Sequence, residues 1–401
     1  MSDWKRLSLG EVVALDVEAV PVEASASYDL VGVLNRGRGL FGRQPIRGYE
    51  TSYKTLNRIR PDQIVYSRLK AFEGAVTVAP RDLGNVYASQ EFPTFTCAEQ
   101  LLPAYFALIT TTRELWDALQ HLSTGMGGRR ERVKPADFLT LEIVLPSIPE
   151  QRRVIDLMAS VDAQIEALGQ EVRRAWRTWQ GAVAVLDESD DQLLLSEGLR
   201  AIEAGKSPKG QERVPRSDER AVLKISAVGR ARFIPTEVKT VDPTVALPEA
   251  TKVNSGDVLL VRCNAVLDRV GTVCLVNDVP GNLYLCDKTL RLVPDEQVLL
   301  PNYLVHAMAA PSVREQIAKR TAGSDMRNIG QAALRQLTIP APSIGQQAVI
   351  GKALDGLVAE ALAVESELAS LRACRSALLT SLLQQELEIP QSYDRLLEEV
   401  S

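Results

Sequence analysis

The residues of this 401-residue chain that could do chemistry do not form a complete catalytic set. Gly37, Gly39 and Gly42 match the G-x-G-x-x-G fingerprint of dinucleotide-binding folds, which requires a helix immediately after the last glycine. Pro45 and Gly48 stand where that helix would run. The segment therefore predicts a flexible basic loop near a phosphate, and not a dinucleotide site.

A second phosphate-binding pattern also fails. Gly205-Lys206-Ser207 matches the end of a P-loop, but Arg200 occupies the position of its required first glycine. Pro208 follows at once, where the P-loop helix should begin. The P-loop interpretation is rejected.

The candidate acid, base and metal-binding residues are scattered. Asp218 with Glu237-Val238-Lys239 loosely resembles a metal-dependent nuclease pattern, a match that arises by chance in many long chains. His121 and His306 lie in predicted helices, where a structural role is expected. Because no nucleophile, base and oxyanion site come together, we predict a non-catalytic chain that binds no metal or cofactor itself.

The composition is that of a globular protein with room for two or three domains, at 45% apolar and 24% charged residues. No apolar run approaches the ~20 residues of a membrane span, and the N-terminus lacks the apolar core of a signal peptide. Five cysteines without a CxxC pair, beside two histidines, argue against a disulfide framework and a zinc site. We expect a bacterial-type cytoplasmic protein.

The net charge of −5 hides a segregation along the chain. Residues 36–70 hold nine basic and two acidic residues, and residues 206–335 hold 19 basic and 14 acidic ones. Residues 150–191 reverse the balance, with nine acids and five arginines. Basic globular regions attract phosphates without regard to sequence, so this distribution is as consistent with nucleic-acid binding as with an ordinary solvated surface.

The sequence also repeats itself at an offset of about 196 residues. The repeated segments come in the same order in both halves of the chain, which indicates two copies of a globular region followed by a long helix. The pairs are Leu101–Tyr105 with Leu299–Tyr303, then Gly125, Arg129 and Arg130 with Gly323 and Arg327, and then Ser147–Gln151 with Ser343–Gln347.

Both predicted helices open with a capping box, since Ser147 precedes Glu150 by three residues and Ser343 precedes Gln346 by three. Apolar residues then follow at alternating steps of four and three, the narrow seam of a coiled coil. The seams are Val154, Met158, Val161, Ile165, Leu168 and Val172, and then Ile350, Leu354, Leu357, Ala361, Val364, Leu368 and Leu371.

Roughly 38 residues at ~1.5 Å each predict a helix of about 55 Å, longer than one turn of B-DNA. The first seam shifts at Trp176 and Trp179, a stutter that would locally unwind a supercoil. We predict that the two helices pair antiparallel as a spacer between the globular regions. The alternative is that each helix packs on its own domain.

The fold class predicted is α+β, with two mixed domains in a pseudo-two-fold arrangement separated by the antiparallel coiled coil. Predicted strands are 63–67, 75–78, 257–261 and 270–274, and predicted helices include 102–119 and 301–319. The predicted boundaries are a first domain at 1–146, a spacer helix at 147–190, a second domain at 191–342, a second spacer helix at 343–389 and an acidic tail at 390–401.

Several segments resemble the specificity subunits of type I restriction-modification systems. These are Gly48–Leu56, Val65–Ala75, Glu91–Phe95, the helix entry Leu145–Gln151, Gly205–Pro208 and Ile339–Gln347. Their order matches the family along essentially the whole chain. The second helix entry departs from the family pattern, because Gly345 replaces proline and Gln346 replaces glutamate.

The resemblance implies a subunit that is not itself catalytic. Each recognition domain would read one half of a bipartite double-stranded DNA sequence, and the helices would set the gap and dock two methyltransferase subunits. Those partners would use S-adenosylmethionine. Restriction subunits, bound through the methyltransferase subunits, would add ATP- and Mg²⁺-dependent cleavage.

The DNA contacts implied are basic and polar residues at strand ends and loops around the family-like segments. They are Arg43, Arg47, Lys54, Arg58, Arg68, Lys70, Arg129, Arg130, Arg262, Asn264, Arg269, Lys288, Ser324 and Arg327. Two other functions remain open. One is a coiled-coil scaffold that never touches DNA, which leaves the basic loops unexplained, and the other is a metal-dependent nuclease around Asp218 and Glu237.

Overall fold

The computed structural model of this chain describes residues 4–123 and 132–394. Their contacts divide the chain into two compact units, Met1–Ala167 with Leu368–Ser401, and Leu168–Glu367. Each unit has a globular part of mixed helices and strands together with one half of each long helix. The fold class is α+β, as predicted.

Eight short helices belong to the globular parts of the described residues, and two long ones carry the coiled-coil seams. In chain order they are α1 (Leu9–Val12), α2 (Pro103–Ile109), α3 (Arg113–Leu122), α4 (Pro135–Leu139), α5 (Ile148–Ala184), α6 (Leu195–Gly198), α7 (Pro301–Ala307), α8 (Pro311–Arg320), α9 (Gln331–Arg335) and α10 (Ile344–Leu383). No helix among the described residues is long and apolar enough to span a membrane.

The first unit is organised around two antiparallel sheets, with strand orders β10-β9-β12-β2 and β11-β8-β3. Two separate pairs, β1–β13 and β4–β7, and the hairpin β5–β6 complete it. Its strands are β1 (Lys5–Ser8), β2 (Val13–Leu15), β3 (Glu18–Pro21), β4 (Ser27–Tyr28), β5 (Val31–Val33), β6 (Leu40–Gly42), β7 (Ile46–Arg47), β8 (Thr55–Ile59), β9 (Ile64–Tyr66), β10 (Val76–Val78), β11 (Val86–Ala88), β12 (Thr94–Cys97) and β13 (Glu142–Leu145).

An aromatic stack fills the centre of the first unit. The ring centroids of Tyr66 and Phe138 lie 4.6 Å apart, and those of Phe95 and Phe138 lie 4.9 Å apart. The Tyr66 hydroxyl donates to the Val133 carbonyl at 3.1 Å, so the buried phenol keeps a polar partner. This stack anchors β9 and β12, and the candidate DNA contacts Arg68 and Lys70 follow the end of β9.

The second unit repeats the first sheet of the first unit and changes the second sheet. Its sheets have the orders β23-β21-β25-β15 and β16-β20-β17-β24, and β17 and β24 are parallel. Its strands are β14 (Gln192–Leu194), β15 (Leu199–Ala204), β16 (Gly210–Gln211), β17 (Arg220–Leu223), β18 (Val228–Gly229), β19 (Arg232–Phe233), β20 (Val238–Val241), β21 (Val258–Val261), β22 (Cys263–Asn264), β23 (Val273–Leu275), β24 (Asn282–Tyr284), β25 (Thr289–Pro294), β26 (Arg327–Asn328) and β27 (Thr338–Pro340).

The shared frame extends to the strand pair beside each long helix. In the first unit β1 pairs with β13, and the Leu9 amide donates to the Leu141 carbonyl at 2.7 Å. In the second unit β14 pairs with β27, and the Leu195 amide donates to the Leu337 carbonyl at 2.8 Å. The internal repeat in the sequence is therefore a repeat of backbone architecture.

The two long helices lie antiparallel within each unit. In the first unit Val154 and Met158 of α5 join the core together with Leu379 and Leu382 of α10, and Asp162 forms an ion pair with Arg375. As α5 advances along the chain, its contacts on α10 therefore fall at lower residue numbers. This direction of contact is that of an antiparallel pair.

The second unit holds the other halves of the two helices in the same way. The Trp176 indole N–H donates to Glu365 at 2.7 Å, and Trp179 and Val183 share a core with Leu354 and Val358. All residues of the predicted seams are buried or half-buried. The ends of each helix also pack into the cores of the globular parts. The helices therefore pair with each other, as predicted, and also pack on the domains, as the alternative interpretation expected.

Both helices begin where the capping pattern predicts, although the caps differ in detail. The Ser147 amide donates to Glu150 Oε2 at 3.1 Å, and the Ser343 amide donates to Gln346 Oε1 at 3.2 Å. Each serine hydroxyl donates to the same oxygen, at 2.9 Å and 2.7 Å, where the predicted box has the hydroxyl accepting from a helix amide. The half of the capping box in which the Glu or Gln side chain bonds to the serine backbone amide is therefore present.

The helix predicted over 102–119 is wrong, because α2 ends at Ile109 and α3 begins at Arg113. Thr110, Thr111 and Thr112 lie between them, and each hydroxyl donates to a carbonyl three residues earlier, at 2.7–2.8 Å. These bonds satisfy the last carbonyls of α2 and end it.

The corresponding helix in the second unit is also interrupted, and one strand is shorter than predicted. The predicted helix 301–319 is α7 and α8, because Pro311 is the first residue of α8 and cannot continue α7. The strand predicted at 270–274 begins only at Val273, because Gly271 has a φ of +74°. A Cβ at Gly271 would also lie 2.7 Å from Ile317.

Candidate nucleic-acid interface

Arg68 and Arg262 occupy equivalent positions, just beyond the ends of β9 and β21. The Arg68 amide donates to the Glu91 carbonyl at 2.9 Å, and the Arg68 carbonyl accepts from Val133 at 3.1 Å. The Arg262 amide donates to the Lys288 carbonyl at 2.9 Å, and its carbonyl accepts from Ile329 at 3.0 Å. Both arginines are half-buried in their units.

A groove of about 800 Å³ runs beside Arg262 in the second unit. Three residues predicted to bind DNA, Asn264, Arg269 and Lys288, line it. Lys224 and Lys239 also line it, but both form ion pairs with Glu212, and Lys224 pairs with Glu237 as well. Among the described residues Arg269 and Lys288 have no ion pair, so their charges are available to a ligand.

The loop at Gly205–Pro208 forms one wall of this groove. A Cβ at Gly205 would lie 1.8 Å from the Leu285 carbonyl oxygen, so only glycine fits there. The close approach lets the Ser207 hydroxyl bond to Asp287, the residue before Lys288. The loop that resembles the family landmark therefore positions a groove residue.

The remaining second-unit candidates lie on a short hairpin next to the groove. Ala322 and Asn328 exchange backbone hydrogen bonds of 3.0 Å and 2.8 Å, and Gly323 makes the turn with a φ of +103°. Ser324 is exposed near its tip, and Arg327 pairs with Asn264 across β22–β26. The six second-unit candidates thus share one region of the surface.

The first-unit candidates are spread over more segments. Arg43, Arg47, Lys54 and Lys70 are exposed. Lys70 lies 3.7 Å from Glu73, an exposed pair that contributes little to stability. Arg58 is already paired with Glu18 at 3.3 Å on the neighbouring strand, so a phosphate would have to compete for it. Arg129 and Arg130 lie outside the described residues.

The glycine-rich segment at Gly37–Gly42 comprises the end of a turn between two strands and the second of these strands. Val31–Val33 pairs with Leu40–Gly42, and Gly37 and Gly39 have φ values of +64° and +93° in the turn between them. A strand stands at the end of the fingerprint, where a dinucleotide-binding fold would start its helix. The loop is basic through Arg36 and Arg38, as predicted.

His306 is completely buried in the second unit and bonded on both ring nitrogens. The Trp179 indole N–H donates to Nδ1 at 3.2 Å, so Nε2 carries the proton and donates to Asp355 at 2.9 Å. Burial alone would raise the pKa of Asp355, but the hydrogen bonds from His306 and Asn302 lower it overall. This arrangement is a structural link between α5, α7 and α10.

Glu237, one of the two carboxylates of the nuclease alternative, has other partners. Glu237 accepts from the Ser226 hydroxyl and pairs with Lys224 at 3.3 Å, and these contacts lower its pKa. Among the described residues, no group of three or more His, Cys, Asp or Glu side chains could hold a metal ion. All five cysteines are free.

Sequence reasoning missed three residues next to the arginines at strand ends. Glu91, Arg132 and Asn328 do not stand out by charge clustering, because each lies in a mixed segment. The repeat offset could have found two of them, since Arg132 and Asn328 lie 196 positions apart and precede Val133 and Ile329, which bond to the two equivalent arginines.

No family model matches the chain, but comparison with individual proteins found two curated relatives. The chain is 24% identical over 288 residues to the type I restriction enzyme EcoKI specificity subunit of Escherichia coli (strain K12). That match covers 65% of this chain and 60% of the relative's length. A second match, to the StySPI specificity subunit of Salmonella potsdam, is 34% identical over 65 residues, 16% of this chain and 14% of the relative.

Two solved structures have the same fold over nearly the whole chain. One comes from a study of complex assembly and conformational transition of the type I R-M system, with a TM-score of 0.55, 17% identity, and coverage of 95% of this chain and 97% of that one. The other is the S subunit of a type I restriction-modification system from M. genitalium, with a TM-score of 0.52, 15% identity, and coverage of 95% and 96%.

Proposed function

We propose that this chain, which is homologous to the specificity subunits of type I restriction enzymes, supplies the DNA sequence specificity of a type I restriction-modification complex. Each unit reads one half of a bipartite double-stranded DNA sequence. The observation that carries the proposal is that the units repeat one backbone frame, with Arg68 and Arg262 in equivalent positions, but surround it with different side chains. Two recognition units that share a backbone architecture but differ in their surface side chains suit a DNA target made of two different half-sites.

The chain is a recognition and assembly subunit in this proposal, and chemistry belongs to its partners. Two methyltransferase subunits dock on the helical pair and methylate adenine with S-adenosylmethionine. Restriction subunits join through them and use ATP and Mg²⁺ to cut DNA. The complex works in the cytoplasm, where its DNA target is.

The long helices set the unread gap between the half-sites. The 37 residues of α5 at ~1.5 Å each make a rod of about 55 Å, which exceeds the ~34–36 Å of one DNA turn. The acidic stretch at 150–191 does not favour contact with phosphates. The methyltransferase subunits docked on it would complete the positive surface around the duplex.

A DNA selection tests the proposal. The chain, assembled with methyltransferase subunits, is mixed with a pool of random duplexes, and the retained duplexes are sequenced. We expect two short conserved blocks separated by a gap of constant length and variable sequence. Enrichment of no sequence would favour the scaffold alternative and contradict the proposal.

A methyl-transfer assay tests the division of labour. The purified chain alone should transfer no methyl group from S-adenosylmethionine to DNA that carries the selected sequence, and the assembled complex should methylate it. Methylation by the chain alone would overturn the assignment as a non-catalytic subunit.

A further inference from the structure

Each unit has three residues at equivalent backbone positions, and we call each set of three a reading triad. The first triad is Arg68, Glu91 and Arg132, and the second is Arg262, Lys288 and Asn328. Each arginine amide bonds to the carbonyl of the second member, and each arginine carbonyl accepts from the residue after the third member. Because this pair of backbone bonds recurs in both units, with all four lengths between 2.9 and 3.1 Å, the three positions correspond one to one.

Within this common backbone the side chains of the triads differ in charge. In the first triad an Arg132 guanidinium N–H lies 3.1 Å from Glu91 Oε1. In the second, Arg262 Nε donates to Asn328 Oδ1 at 3.2 Å, and Lys288 is exposed and lines the groove. A carboxylate thus stands in the first unit where an ammonium stands in the second.

The first triad is incompletely satisfied by its own unit. Among the described residues, Arg68 Nε and Glu91 Oε2 are buried and have no hydrogen-bond partner. A buried donor and a buried acceptor without hydrogen-bond partners destabilise the unit. A polar ligand that bonds to both atoms, once the two side chains turn towards it, would remove this cost. A base edge that offers both an acceptor and a donor is such a ligand.

The second members of the triads have opposite hydrogen-bonding chemistry. The Glu91 carboxylate only accepts hydrogen bonds, and the Lys288 ammonium only donates them. In the major groove, adenine and cytosine present an exocyclic amino donor, whereas guanine presents two acceptors, N7 and O6. The two positions therefore suit opposite classes of base.

We propose that positions 91 and 288 select the base at one position of each half-site. Glu91, oriented by Arg132, accepts from the amino group of an adenine or cytosine, and Arg68 donates to an adjacent acceptor such as adenine N7. Lys288 and Arg262 donate to N7 and O6 of a guanine. This inference rests on the proposed function, because it concerns which residues do the reading.

The test is charge reversal at position 91, with DNA selection by the assembled complex as the readout. E91K should switch one position of the first half-site from an amino-bearing base to guanine and leave the second half-site unchanged. The preference ratio should change by roughly 5- to 150-fold, the range for one well-placed base contact. Glu99→Lys, the same charge change at an exposed site in the same unit, should leave both half-sites unchanged.

E91Q is a second variant at the same position, because the lysine of E91K would lie beside Arg132 and the repulsion would destabilise the fold. Glutamine keeps the size and one acceptor, so E91Q should retain the wild-type melting temperature within a few degrees and relax discrimination at the same position. If E91Q is folded and selects the wild-type sequence with unchanged stringency, the role of Glu91 is excluded.

The reciprocal change is K288E, which should replace a guanine preference in the second half-site by a preference for adenine or cytosine. K288Q is its milder partner, and K319E on the surface of α8 is the matched control. Wild-type selection of a bipartite sequence that neither K288E nor K288Q alters would overturn the inference and leave the proposed function intact. A wild-type complex that selects no sequence would overturn both.

Discussion

Gln151 and Gln347, 196 positions apart, make the same set of hydrogen bonds in the two units. Their side-chain carbonyls accept from the amides of Leu102 and Leu300, at 2.9 Å and 3.0 Å. The side-chain amide of Gln151 donates to the carbonyls of Gln100 and Pro146 at 2.7 Å and 3.0 Å. The side-chain amide of Gln347 donates to the carbonyls of Val298 and Pro342 at 3.0 Å and 2.8 Å. Each glutamine fixes the start of a long helix to its globular part.

Replacing either glutamine should destabilise the chain without changing the sequence that it reads. Gln151→Leu removes three hydrogen bonds, one of them buried and two part-buried, and leaves their three backbone groups without that partner, which should cost about 2–4 kcal/mol in the free energy of unfolding. Urea denaturation measures the loss. Gln164→Leu, at an exposed position of the same helix, is the control and should cost less than about 0.5 kcal/mol.

His306→Ala should be strongly destabilising and leave specificity unchanged. The substitution opens a cavity at a fully buried position and removes the partners of the Trp179 indole and of Asp355, for an expected loss of about 2–4 kcal/mol. His121→Ala, on the exposed face of α3, should have little effect on thermal unfolding. A stable His306→Ala variant that binds a different DNA sequence would contradict the structural role.

Lys54 and Arg269 should contact phosphates, because both are exposed and neither forms an ion pair within the described part of the chain. Lys54→Ala and Arg269→Ala should each weaken binding to all DNA sequences and reduce the slope of log affinity against log salt by about 0.9. Lys319→Ala, whose ammonium pairs with Glu315 at 2.6 Å, is the control. Unchanged affinity and slope in the assembled complex would remove either residue from the interface.

Lengthening both helices should lengthen the unread gap. The two units divide after Ala167 and after Glu367, so four residues inserted at each of these points should preserve the contacts within each unit. The extension is about 6 Å, or roughly one or two base pairs, and a four-residue stutter is absorbed by local unwinding. The insertion after Ala167 alone should disrupt helix pairing. An active double-insertion variant with the original gap would show that the helices do not set it.

The sequence was sufficient to predict the elements whose signal is local or periodic. The heptad seams predicted both long helices, and the serine caps predicted their first turns. The break at Thr110–Thr112 was missed because apolar periodicity continues across it, and only the hydroxyl contacts with preceding carbonyls reveal the end of the helix. Lys288 was predicted as a DNA contact, but its correspondence with Glu91 was missed, because it depends on equivalent hydrogen bonds between distant segments, which charge clustering alone does not reveal.

The central claim is that each unit reads its own half-site, and an exchange of recognition regions tests it most directly. Residues 10–140 are replaced by the corresponding region of another specificity subunit, which leaves β1, β13 and Gln151 in place. Methylated sites are then mapped across a genome that carries the assembled complex. We predict that one half-site changes while the other half-site and the gap remain the same. A change in both half-sites would contradict independent reading by the two units.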